Sequence, residues 1–276
     1  MKRLNPLNDF LFKKLFGEEK DNDLLIGFLN AILYSDIVNI SIESEQLERE
    51  SKEDKLGILD IKAKTKTGEK FNIEVQLLNQ NNMVPRTLFY WSKLFVEGFE
   101  SGSHYESLKK TITINILDFK LDELHDEYFH STYKLFEKKT LNLLTDLLEV
   151  HFIEIPKFQE IPYDLYNPLH RWLLFLKDDV SEEELKEVLS MDVIVNKAEQ
   201  KLLKLSADPE TRREYEAREK ALSDERSRLK DAEDNGILNG ILKVVQSLLN
   251  NGMTIAEASK HTPYSEDELK RLLKIN

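Results

Sequence analysis

The stretch GILDIKAKTKTGEKFNIEVQL, residues 57–77, reads as two strands joined by a tight turn. Leu59 to Lys64 alternates apolar with polar residues, and so does Phe71 to Leu77. Strict alternation is the mark of a strand with one buried face. Between the two runs, a loop of Lys66, Thr67 and Gly68 puts glycine at its third position, where a three-residue hairpin needs positive φ. That register sets Asp60 opposite Glu74. Leu59, Ile61, Ala63, Ile73, Val75 and Leu77 supply the apolar face. Asp60, Lys62 and Lys64 share the other face of the first strand, and Asn72, Glu74 and Gln76 that of the second.

Opposed side chains on paired strands have Cβ atoms about 5 Å apart, so two facing carboxylates repel unless something neutralises them. Two readings fit. The polar face is solvated, with Lys62 neutralising either carboxylate. Alternatively the face holds a hard cation, since Mg²⁺ takes one or two carboxylates together with waters and phosphate.

The elements outward from the hairpin fit a sheet covered by helices. Asn8–Phe16 has helical apolar spacing and stops at Gly17. Asp21 is expected to cap a second helix through Leu33, followed by a strand around Val38–Ser44. Pro85 is expected to start a helix running to about Ser101. Thr111–Phe119 (TITINILDF), Thr132–Phe136 and Val150–Ile155 read as strands. This order predicts a mixed α/β fold. From Asn167 onward the chain reads as helical, over Asn167–Lys177, Ser181–Ser190 and Val193–Leu205. Pro209–Asp234 is dense in charge and reads as an exposed helical linker. Thr254 with Glu257, and Ser265 with Glu268, form two capping boxes that open two short helices. The second would begin on acidic residues that repel phosphate, so docking or assembly is expected of this unit.

Composition narrows the classes. Of 276 residues, none is cysteine, which excludes disulfides and thiolate metal sites. No apolar run approaches the roughly 20 residues of a membrane helix, and the N-terminus lacks the apolar core of a secretory signal. A cytoplasmic protein away from membranes is expected. The net charge of -12 argues against binding nucleic acid by bulk electrostatics. Residues 1–120 carry 17 Lys and Arg against 19 Asp and Glu, so a polyanion-binding patch belongs in this half. The glycines form no nucleotide-binding loop, the six histidines are scattered, and no serine sits in a nucleophile elbow.

Several motifs in order carry a resemblance. Asn8-Asp9-Phe10-Leu11-Phe12-Lys13-Lys14-Leu15-Phe16-Gly17, then Leu59-Asp60-Ile61-Lys62, then Ile73-Glu74-Val75-Gln76, then Arg86 and Tyr90-Trp91-Ser92-Lys93-Leu94 resemble the Rpn family. These are recombination-promoting nucleases, also called PD-(D/E)XK nuclease family transposases. The similarity runs through Lys157 in HFIEIPKF, and the helical tail with its Gly-Met-Thr-Ile-Ala-Glu-Ala unit is also similar. The resemblance implies a restriction-endonuclease-like core and cleavage of DNA with Mg²⁺ or another divalent cation, in recombination or mobile elements. Asp60 and Glu74 match the catalytic, metal-holding acids. Gln76 stands where the wider superfamily has lysine; lacking positive charge, it can only orient a water by hydrogen bonds. Lys62 can supply the missing charge. Asp9 and Lys13, one turn apart, complete the site or form a surface pair. Lys13 and Arg86 are candidate phosphate ligands.

The expected organisation is a nuclease-like core at 1–165, a helical extension at 166–206, a charged helical linker at 207–235 and a small helical unit at 236–276, through which the chain can self-associate. Two other functions stay open: an inactive nuclease fold used as a binding module, and a defence nuclease restrained by its C-terminal half.

Overall fold

The computed structural model describes residues 3–43, 61–121, 124 and 127–275. Two compact units result, Met1–Arg218 and Glu219–Asn276. The first contains a six-stranded mixed sheet. Its strands are β1 (Ile40–Glu43), β2 (Ile61–Thr65), β3 (Lys70–Gln76), β4 (Thr111–Leu117), β5 (His130–Phe136) and β6 (Leu143–Glu154). They lie in the order β1-β2-β3-β4-β6-β5. β3, β4 and β6 run parallel; the other pairs are antiparallel. The helices are α1 (Asp9–Phe16), α2 (Asn22–Leu33), α3 (Met83–Val96), α4 (Ile155–Gln159), α5 (Pro168–Leu176), α6 (Glu182–Met191), α7 (Val193–Ala207) and the first turns of α8 (Pro209–Asn250).

The hairpin forms as its sequence predicts. Lys64 pairs with Lys70, Lys62 with Asn72 and Ile61 with Ile73. Thr65 N donates to Glu69 O at 2.9 Å, and Gly68 has φ +94° in the loop between them. A side chain at that φ would be strained, which accounts for glycine there.

One face of the sheet carries the main core. Phe71, Ile73 and Val75 of β3 and Ile112, Ile114 and Ile116 of β4 pack against α1, α2 and α5. Phe16, Phe28 and Trp172 meet there with ring centroids 5.3–5.6 Å apart. Burial of this apolar surface is the main term favouring the fold. α3 covers the other face.

Several boundaries differ from the sequence reading. Asn8 caps α1 as expected, its side chain accepting from Leu11 N. Asp21 makes no side-chain capping bond to α2; its carboxylate is instead paired with Lys201 at 2.9 Å and Lys197 at 3.4 Å. β1 starts only at Ile40, and Val38 is 88% exposed, so it packs on nothing. α3 starts at Met83, with Pro85 inside its first turn, where a missing N–H is tolerated. It ends at Val96 because Glu97 leaves helical geometry and Gly98 takes φ +75°. β6 begins at Leu143, ahead of the expected Val150, because the antiparallel partner β5 extends it.

Of the expected linker at 207–235, Ala207 ends α7, Asp208 follows it and the rest lies within α8. Its first turns pack on the first unit: Thr211 is buried and Tyr215 lies against the main core. In the second unit, Val245, Ala258 and Leu269 form a small core. α9 (Ile255–Ser259) and α10 (Glu266–Leu273) both open with complete capping boxes, at Thr254 and Ser265. Among the described residues, no helix is long and apolar enough to cross a membrane.

Candidate active site

β3 is buried on both faces, so its polar residues are not simply solvated. Asn72 and Glu74 alternate with the core residues Phe71, Ile73 and Val75 and therefore face α3. The parallel register with β4 places Thr113 beside Asn72, Asn115 beside Glu74 and Leu117 beside Gln76. Hydrogen bonds fasten α3 to this polar face. Thr87 Oγ1 donates to Asn115 Oδ1 at 3.1 Å, and Asn115 Nδ2 donates to His151 O at 3.0 Å. Trp91 Nε1 donates to Thr111 O at 2.9 Å. Lys70 Nζ, whose pKa burial lowers, donates to Leu94 O at 2.8 Å and Glu97 O at 2.7 Å.

Glu74 is the central group. It is 1% exposed. Its Oε1 accepts from Asn72 Nδ2 at 3.1 Å. Its Oε2 lies 3.6 Å from Arg86 Nη2 and accepts no hydrogen bond. Burial raises the Glu74 pKa; Arg86 and the Asn72 hydrogen bond pull it down, and burial prevails. Asn72 Oδ1, Thr113 Oγ1 and Arg86 Nε are likewise buried without a hydrogen-bond partner. Arg86 also stacks over the Tyr90 ring at 5.4 Å, and burial raises the Tyr90 pKa. Unmade hydrogen bonds of this kind are uncommon in protein interiors and call for an account.

The other residues singled out in the sequence are placed as follows. Asp60 lies outside the described residues, and so does its expected pairing with Glu74; the described register ends at Ile61 with Ile73. Gln76 is half-buried at the end of β3, and its carbonyl accepts from Asp118 N at 2.9 Å. Lys62 is engaged by two carboxylates, Glu97 at 2.6 Å and Glu43 at 2.9 Å. Burial opposes its charge, but these partners outweigh that and raise its pKa. Asp9 pairs with Arg218 at 3.2 Å. Lys13 is half-buried on α1. Lys157 is 2.7 Å from Glu154. The structure thus brings Arg86 to Glu74, and gives Lys62 and Asp9 other partners. The polar companions Thr87, Thr113 and Asn115 were not singled out in the sequence. Their signal was present: Thr111, Thr113 and Asn115 recur at every second position of a strand otherwise made of isoleucine and leucine.

A second polar cluster lies on the opposite face, at β5 and β6. Glu149 Oε1 is 2.9 Å from His151 Nε2, and His151 Nδ1 is 2.9 Å from His130 Nε2. Lys110 reaches Glu149 at 2.6 Å. Burial acts to raise the Glu149 pKa, but the bonds from His151 and Lys110 outweigh it and hold the group well below the carboxylate range. A carboxylate only accepts, so His151 Nε2 carries a proton and donates to Glu149 Oε1. Burial foremost, then His151, lowers the His130 pKa to about 4.

Among the described residues, no group of three or more His, Asp or Glu side chains is arranged to hold a metal ion. The buried, unpartnered oxygens Glu74 Oε2 and Asn72 Oδ1 are nevertheless hard donors of the type Mg²⁺ prefers. The chain belongs to the PD-(D/E)XK nuclease family transposases, whose family model matches residues 6–232. Its mixed sheet under helices, with a buried acid on the second strand of an antiparallel hairpin, is compatible with the nuclease fold of that family. Comparison with curated proteins and with solved structures gave no match.

Proposed function

We propose that the chain is a divalent-metal-dependent DNA endonuclease that hydrolyses phosphodiester bonds, with Glu74 and Asp60 holding the cation. The observation that carries this reading is Glu74: a carboxylate 1% exposed, with one oxygen fixed by Asn72 and the other without a hydrogen bond. A carboxylate so placed is under-satisfied unless a cation completes it. The alternation of the hairpin sequence sets Asp60 opposite Glu74 as an expectation; the described register ends one position earlier, at Ile61 with Ile73.

Asn72 orients the Glu74 carboxylate so that Oε2 is the oxygen available to a ligand. Gln76, two positions along the same strand, belongs to the same face and can hold a water through an amide that both donates and accepts. A bound divalent cation supplies activation of the attacking water and neutralises phosphate charge. The oxygen-only donor set favours Mg²⁺.

The test is nicking of supercoiled plasmid with Mg²⁺ and with EDTA, for the wild type, Asp60→Ala and Glu74→Gln. The reading expects cleavage by the wild type only with Mg²⁺, and nearly none by either variant. Cleavage by Glu74→Gln at the wild-type rate overturns it.

A further inference from the structure

We propose that Arg86 is the resident counter-cation of Glu74, which a divalent ion displaces from Oε2 and so frees to grip a DNA phosphate. The inference rests on the reading that Glu74 is a cation ligand, and goes beyond it by giving the site two states.

The two oxygens of Glu74 are not equivalent. Asn72 Nδ2 holds Oε1 at 3.1 Å. Oε2 faces the guanidinium at 3.6 Å, a distance that brings the charges together without a hydrogen bond. Arg86 Nε is also buried without a partner. The pair is therefore held by charge, with the directional bonds that usually fix arginine to a carboxylate unmade. A divalent ion at Oε2 competes for the same position and repels the guanidinium.

Arg86 has somewhere to go. It sits in the first turn of α3, its side chain is 28% exposed, and its guanidinium lies over Tyr90 at 5.4 Å. The ring face gives the side chain a surface to move along while it leaves Oε2. Its planar fork suits phosphate, which is the charge a nuclease brings next to its metal. The coupling is reciprocal, so a phosphate that draws Arg86 away should tighten cation binding.

The experiment is calorimetric titration of the full chain with Mn²⁺, for the wild type, Arg86→Met, Arg86→Gln, Arg86→Lys and Glu74→Gln. Removing the competing charge should tighten Mn²⁺ binding of Arg86→Met and Arg86→Gln by roughly two- to fivefold, the upper part of the range for a partly exposed ion pair. Arg86→Lys should stay near the wild type. In parallel, anisotropy of a fluorescent duplex is read with Ca²⁺ and with EDTA. Ca²⁺ should strengthen duplex binding by the wild type and do so less for Arg86→Met. Unchanged or weaker Mn²⁺ binding by folded Arg86→Met and Arg86→Gln overturns the proposal and leaves the nuclease reading standing. Mn²⁺ binding by Glu74→Gln at wild-type strength removes the ligand itself, and both readings fall.

Discussion

Asn72 donates to Glu74 Oε1 at 3.1 Å from two positions earlier on the same strand, with both side chains under α3. A neighbour at this spacing can aim a carboxylate only where a strand keeps both residues on one face. Asn72→Ala should therefore do two things. It leaves a buried acceptor unpaired, which costs about 1–3 kcal/mol of stability. It also frees the carboxylate to rotate, so Mn²⁺ affinity should fall several-fold. Urea denaturation and calorimetry read the two effects separately. Loss of stability with full cation affinity would mean that Asn72 is only a packing residue.

A related argument separates structure from chemistry at Lys62. Its ammonium contacts Glu97 and Glu43, with the lysine side chain 15% exposed and the glutamates 33% and 37% exposed. Lys62→Met should destabilise the protein by about 1–2 kcal/mol; fully buried pairs lose more, and solvent screening reduces the figure here. Mn²⁺ affinity should stay within about twofold of the wild type, since neither partner is Glu74. Unchanged stability together with a large change in Mn²⁺ affinity would instead put Lys62 in the site.

The contrast between these residues shows what the sequence could reveal. The hairpin is local, so alternation and the glycine at the third loop position were enough to fix its register. The strand order is not local. β3 lies beside β4, and β4 beside β6, through long crossovers that no short window encodes. Asn72, Glu74 and Gln76 were legible as sharing a face, but alternation cannot say whether a polar face meets water or a helix. α3 decides that, and it buries Asn72, Thr113 and Asn115 completely. Arg86 was legible as a candidate through its motif, whereas its distance from Glu74 depends on how α3 lies across the sheet. The partners of Lys62 were not legible, because Glu97, the closer of the two, lies 35 positions away.

Stability should depend on pH through His130. Its folded pKa, about 4, is below the ordinary value of 6.5 because burial disfavours the charged form. The unfolded chain therefore binds the proton more tightly, and stability falls as pH drops from 6.5 towards 4. The loss from this group should approach 2–3 kcal/mol, taking about 1.4 kcal/mol per pKa unit. His130→Gln keeps an amide donor without the titration. The difference in urea midpoint between pH 7 and pH 4.5 should be smaller in His130→Gln than in the wild type; equal differences would exclude His130 as the cause.

Gln76 offers the sharpest question about mechanism. It is half-buried at the end of β3, on the face that carries Glu74. Where the wider superfamily has lysine, an ammonium can stabilise charge on the phosphate, but it cannot accept a hydrogen bond. This site already has a positive charge, Arg86, 3.6 Å from Glu74. A second one at position 76 would add repulsion against the divalent ion and gives back no acceptor for a water. Gln76→Lys should therefore bind Mn²⁺ more weakly than the wild type, and its plasmid nicking should fall by at least about tenfold. Gln76→Ala should lose roughly ten- to hundredfold in rate, because the water loses its orientation, while Mn²⁺ affinity changes little. The two variants thus separate by their metal affinities even if both cleave poorly. Nicking rates over a Mg²⁺ series, with Mn²⁺ calorimetry alongside, give both readouts. Faster cleavage by Gln76→Lys would show that the lack of a positive charge at this position limits the wild type, and that Arg86 does not serve in its place.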